Sequence, residues 1–282
     1  MIFRGSYRKM LRRGYPILTP LLRDMYRTKG IVKFGFLPLT RAIVWYITSK
    51  EYTNFTYDIS TKCKKYLVDF LANVFVISRD EVMAYIREIE EDMQLENHFF
   101  EHVSKTTDRY FADLPIKYGR RIGWYAILRV LKPRIVTESG IDRGIGTCVL
   151  AAAMLRNNAE GHDGKIIALD INPYAGQYVS GPYSVAVEII YGDSLEFLKN
   201  TTHKIDVFIH DSDHSAKHES QEYELAGPKL SQSGVMISDN ADVTDCLHKF
   251  AYNNGLCFNY WQEEVVNHVA SPGSIAIAMR RL

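Results

Sequence analysis

The chain has 282 residues, enough for one large domain or two small ones, and its 46% hydrophobic and 24% charged residues give an ordinary globular balance with a core that needs no covalent staples. Its four cysteines, Cys63, Cys148, Cys246 and Cys257, form no C-x-x-C pair, which argues against a disulfide framework or a cysteine zinc site and fits reduced thiols in a cytoplasmic protein. The formal net charge is only +1, yet residues 1–50 hold eleven Lys or Arg against one acid, Asp24, so the rest of the chain is acidic.

Residues 1–60 contain Gly5, Gly14, Gly30, Gly35 and three prolines, which predicts a basic irregular arm. Pro16 and Pro20 break its first apolar run, so no secretory signal is expected. The longest apolar run near it, Ala42 to Ile47, falls well short of the ~20 residues that span a bilayer. Aromatic and aliphatic residues interleave with the cations, as in an interfacial segment. The arm suits an acidic surface: anionic lipid, a polyanionic substrate, a neighbouring subunit in a homo-oligomer, or the chain's own acidic domain. No nucleic-acid-binding motif accompanies the charge.

Residues 61–133 form a helical region. Tyr66, Leu67, Phe70, Leu71 and Val74 recur at helical spacing within Lys62–Val76. Ser78 followed by Glu81 is a capping box that opens a second helix through Ile89. A third helix is expected from about Lys117 to Leu131, stopped by Pro133.

Residues 134–282 then alternate strand, turn and helix. Strands are expected at Arg134–Glu138, Lys165–Asp170, Val185–Ile190, Ile205–His210, Gly234–Ser238, Leu256–Tyr260 and Ile275–Met279. Helices are expected at Gly146–Arg156, Ser194–Lys199, Ser215–Lys229 and Ala241–Asn253. This alternation predicts an α/β fold, a doubly wound, mostly parallel seven-stranded Rossmann-like sheet with an N-terminal helical extension. The last two strands lack an intervening helix and should pair antiparallel.

In such a sheet, ligands sit beyond the carboxyl ends of the strands. After the first strand, Glu138, Gly140 and Gly144 form an acid and glycine loop without the G-x-G-x-x-G spacing of a dinucleotide site. The acid suits a cationic ligand rather than a phosphate. Asp170, after the second strand, can accept two ribose hydroxyls. Asp193 and Ser194, after the third, can cap the next helix and face an adenine amine. Asp211 follows the fourth strand and Asp239-Asn240 the fifth. Two carboxylates and an amide oxygen are hard donors suited to Mg2+ or another divalent cation, though the same residues serve equally as helix caps and turn acids.

These segments together resemble the class I S-adenosylmethionine-dependent methyltransferases. They are similar to the metal-dependent O-methyltransferases of the catechol and caffeoyl-coenzyme A type and to the bacterial cephalosporin hydroxylase and macrocin O-methyltransferase group. The resemblance covers residues 134–282. It implies a cofactor site of Glu138, Gly140, Gly144, Asp170, Asp193, Ser194 and Asp211, and a metal site of Asp211, Asp239 and Asn240. The catechol-type enzymes place a lysine base three residues beyond the first metal aspartate, and His214 stands there instead. The base is then His214, acting beside Asp211, with His268 as the other candidate. The D-x-D-H sequence at 211–214, shared with the bacterial group, points to a hydroxyl of a sugar, glycolipid or natural product as acceptor. A hydroxylase of the same group and a non-catalytic cofactor-binding protein are the competing expectations.

Overall fold

The computed structural model describes residues 18–51, 53–269 and 272–281. It divides into two compact units: residues up to Ser49 with Asn267–Val269, and the remainder of the chain.

The first unit corrects the expectation of an irregular arm. Leu18–Ile31 (α1) and Leu37–Thr48 (α2) are helices joined without a break through a π-helical turn at Val32–Phe36. Glycines 30 and 35 are tolerated at a cost of about 1 kcal/mol each. Pro38 falls in the first turn of α2, directly after the π-helical turn. The apolar run was also too narrow a measure of length. Arg23–Thr48, 26 residues, is long and apolar enough by length and composition to cross a membrane. Pro16 and the first basic cluster lie outside the described residues.

In the second unit, Asp58–Ile59 (β1) precedes Thr61–Phe75 (α3), Arg79–Glu90 (α4), Met93–Lys105 (α5) and Arg121–Leu131 (α6). Ser78 caps α4 as expected, accepting from the Glu81 amide at 3.1 Å, and Ser60 caps α3 in the same way, accepting from the Cys63 amide at 3.1 Å. Helix α5 was not anticipated from the sequence. It begins at Asp92, which accepts from the Leu95 amide at 2.9 Å, and it buries Leu95, Phe99 and Val103.

The sheet follows: Ile135–Ser139 (β2), Ile145–Ala159 (α7), Lys165–Asp170 (β3), Val187–Tyr191 (β4), Ser194–Asn200 (α8), Ile205–His210 (β5), Ala216–Ala226 (α9), Leu230–Asp239 (β6), Cys246–Asn253 (α10), Cys257–Gln262 (β7), Val265–Val266 (β8) and Ser274–Met279 (β9). The seven-stranded order is β4-β3-β2-β5-β6-β9-β7, with β9 antiparallel to both neighbours and the other strands parallel. This is the doubly wound sheet expected, with the antiparallel β7/β9 pair. Helix α9 stops short of the expected Lys229 because Pro228 follows, and α10 starts late because the Asp242 amide is drawn onto Ser274.

Alternation puts two cores on the two faces. Val207, Ile209, Val235, Ile237, Ile275 and Ile277 face the helical layer of α3 to α7. Phe208, Met236, Ala276 and Ala278 face α9 and α10. Each fully buried large side chain contributes roughly 1.5–3 kcal/mol. The carboxyl ends of β2, β3, β4, β5 and β6 consequently open along one edge.

Candidate active site

Gly140 follows β2 with φ +91°, and a Cβ there would lie 2.1 Å from the Asp211 carbonyl oxygen. Only glycine lets the β2 and β5 ends meet so closely. Gly144 has φ +97° at the start of α7. Between them, the Ile141 and Asp142 amides donate to one Asp170 carboxylate oxygen at 2.9 and 3.2 Å, while the other accepts from Asn172 at 2.8 Å. Asp170 thus braces the loop and still has lone pairs facing the cleft.

That cleft has a volume of about 570 Å³, within the usual range for a small-molecule site. Of the residues expected to hold a cofactor, Gly140, Asp170, Asp193, Ser194 and Asp211 line it. Asp193 also caps α8, accepting from Leu195 at 2.8 Å, so both of its expected roles coexist. Gly144 and Glu138 lie behind the lining. Glu138 is 1% exposed and accepts from Thr147 Oγ1 at 2.7 Å, and burial pushes its carboxyl up to about 8.

A buried polar network that sequence reasoning missed forms the floor. Glu222 in α9 accepts from Ser139, Ser194, Ser212 and His218 and pairs with His210 Nδ1 at 2.6 Å. Burial alone would raise the Glu222 carboxyl, but the hydrogen bonds from His210 and His218 outweigh it and hold it well below the carboxylate range. In return Glu222 raises His218, which lines the cleft. The His218/Glu222 spacing of four on one helix was the available signal.

At the far end, ligand atoms of Asp211, His214 and Asp239 converge within 4.8 Å. His214 Nε2 lies 3.8 Å from Asp211 Oδ1 and 3.1 Å from Asn240 Nδ2. Burial, with His210 adjacent, lowers the His214 imidazole below its ordinary value, so it is neutral at pH 7. The other base candidate, His268, packs instead against Trp45 in the N-terminal unit, ring centroids 6.0 Å apart.

The residues expected to bind a metal already have a cation. Arg120 donates to Asp239 through Nε at 2.6 Å and through Nη2, and Nη2 also reaches Asn240 Oδ1 at 3.0 Å. Burial opposes ionised Asp239, but Arg120 outweighs it and keeps the carboxyl low. Burial and charged Asp239 together push Asp211 well above its ordinary value. An arginine at a helix start, as Arg120 is for α6, is disfavoured by the helix dipole. The buried Asp239 carboxylate offsets that cost.

Residues 137–241 match the family model described as "Methyltransferase domain". No curated protein matches the chain. Among solved structures it is similar to an O-methyltransferase from Bacillus cereus in complex with SAH, at 16% identity and TM-score 0.49, covering 67% of this chain and 92% of that one. It is also similar to the O-methyltransferase TomG from Streptomyces achromogenes, involved in tomaymycin synthesis and solved with SAM, at 14% identity and TM-score 0.49, covering 68% and 91%. The matched segment runs from β2 to the residues just after β6.

Proposed function

We propose that the chain is an S-adenosylmethionine-dependent O-methyltransferase acting on a hydroxyl of a sugar, glycolipid or natural product. The carrying observation is the cleft at the strand ends, with the glycine turn at 140, the Asp170 carboxylate, Asp193 and Asp211 lining it and His214 Nε2 3.8 Å from Asp211 Oδ1. When bound, S-adenosylmethionine supplies an electrophilic methyl on a sulfonium. Asp170 accepts the ribose hydroxyls, and the absent side chain of Gly140 leaves room for the amino-acid end. Buried Glu138 adds negative potential on that side when ionised. His214 would take the hydroxyl proton of the acceptor as the methyl leaves the sulfonium for the oxygen, a contribution of about 10²–10⁴ in rate. Alignment in the cleft contributes the remainder. The Asp211-Ser-Asp-His214 sequence supports a glycosidic or natural-product acceptor over a planar phenol.

Calorimetry with S-adenosylmethionine, followed by methyl transfer to a panel of sugar conjugates and catechols, tests this reading. Transfer to catechols alone would remove the acceptor class. Cofactor binding without transfer to any acceptor would favour the non-catalytic alternative, and an oxygenated product the hydroxylase. The hard-cation donors do not fit a metal while Arg120 occupies both Asp239 oxygens and Asn240 Oδ1, so no step is routed through one.

The N-terminal helix is proposed to lie on an anionic membrane surface at the cytoplasmic side. Ile31, Phe34, Phe36, Tyr46 and Ile47 are all more than half exposed, and Arg23, Arg27, Lys29 and Lys33 are interleaved with them. Arg41 falls inside its most apolar stretch and would cost about 2.5–3.5 kcal/mol near the bilayer centre, which favours lying at the interface over spanning.

A further inference from the structure

We propose that Arg120 is the resident cation of the acceptor site, occupying the place of a divalent ion, and that the site takes up no metal. The guanidinium is enclosed on every donor. Beside its contacts to Asp239 and Asn240, Nη1 donates to Tyr57 Oη at 2.8 Å and to Glu263 Oε1 at 3.3 Å. Tyr57 in turn donates to Glu263 Oε2 at 2.7 Å, and the Gly273 amide fixes Oε1 at 2.8 Å. The cage is dry: the Arg120, Asp239 and Glu263 side chains are 5%, 1% and 0% exposed. Two backbone devices admit the cage. Gly119, at φ +54°, lies where a Cβ would strike the Tyr57 ring, and a Cβ on Gly273 would come 2.6 Å from Arg120 Nη1.

A planar fork with five donors matches a carboxylate edge-on, and it satisfies Asp239 and Asn240 at once. A divalent ion held by Asp211, His214 and Asp239 would have to share the Asp239 carboxylate with the Arg120 guanidinium and sit beside that second cation in a dry cage, so the two compete for one place. With Asn240 Oδ1 committed to Arg120, its Nδ2 faces His214 Nε2 at 3.1 Å. Arg120 is therefore a positioning residue: through Asn240 it sets the orientation of the imidazole. It is contributed from outside the matched 137–241 segment, by the helical region that completes the site.

This inference rests on the proposed acceptor site, and the two are separable. Binding of S-adenosylmethionine by the wild-type chain is measured by calorimetry, and metal uptake independently by titrating the full chain with Mn2+ and following the free-ion electron paramagnetic resonance signal. The expected result is no uptake by the wild type or Arg120→Lys, and uptake of about one ion per chain by Arg120→Gln that is lost again in Arg120→Gln/Asp211→Asn. Stoichiometric uptake by the wild type would overturn the inference, as would a folded Arg120→Gln protein that takes up none. If Arg120→Gln does not fold, the wild-type titration decides alone, silence supporting the inference and uptake refuting it.

Discussion

Single residues carry the cofactor assignment, and Asp170 is the sharpest of them. Its carboxylate holds three backbone amides and faces the cleft. Asp170→Asn keeps the size but removes the charge and half the acceptor capacity. A lost charge-assisted pair of hydrogen bonds is worth about 1.5–3 kcal/mol, so S-adenosylmethionine should bind roughly 10- to 100-fold more weakly by calorimetry. Unchanged affinity would remove Asp170 from the site. Glu138 makes a prediction of the opposite kind. Its folded carboxyl is raised to about 8 by burial, from an ordinary value near 4.5. Between those values the folded chain holds a proton that the unfolded chain has released, so stability falls as pH rises through that window. Glu138→Gln keeps the acceptor for Thr147 and abolishes the titration. Relative to wild type it should gain roughly 2–4 kcal/mol between pH 5 and pH 8.5 in urea unfolding. Parallel stability curves for the two proteins would contradict the raised value. At this scale the sequence was legible wherever a functional residue follows a strand, because strand period places it at the sheet edge. Arg120, Tyr57 and Glu263 were illegible. Their partners lie 119, 63 and 143 positions away and leave no local period to read.

Elements were readable in proportion to how self-contained their signals are. Buried parallel strands such as Lys165–Asp170 and Ile205–His210 are short apolar runs bounded by turn residues, and both fall at their expected ends. Capping serines are equally local, and Ser78→Ala should cost about 1 kcal/mol in thermal unfolding. The N-terminal helix was misread because glycine and proline were weighed as breakers. In a helix of this length, two glycines and a first-turn proline cost little against the hydrogen bonds propagated through them. Its exposed apolar surface leads to a further expectation. The full chain should float with vesicles containing anionic lipid and much less with phosphatidylcholine alone, and alkaline carbonate should strip it off. Phe34→Asp combined with Ile47→Asp should abolish flotation. Retention after carbonate would mean that the helix spans instead, and flotation indifferent to both lipid charge and the substitutions would exclude a membrane role for it.

For the molecule as a whole, the cleft and its supports all lie in the larger unit, so a ligand bound there must stabilise that unit by mass action. At a hundredfold excess over its dissociation constant, S-adenosylmethionine should add about 2.7 kcal/mol, which for a unit of this size raises the melting temperature by about 5–11 °C. Trp124 and Trp261 belong to this unit and are 0% and 6% exposed, so their emission reports its unfolding directly. A nicotinamide dinucleotide should leave the transition where it is, because the Asp170 carboxylate would repel its pyrophosphate and the loop from Gly140 to Gly144 lacks the spacing that cradles one. The Asp170→Asn protein should show a smaller shift at the same cofactor concentration, reduced in proportion to the logarithm of the affinity ratio. This last comparison ties the residue to the fold. An undiminished shift in the variant would place the cofactor elsewhere, and no shift in the wild type would remove the cofactor while leaving the sheet, its two cores and the Arg120 cage intact.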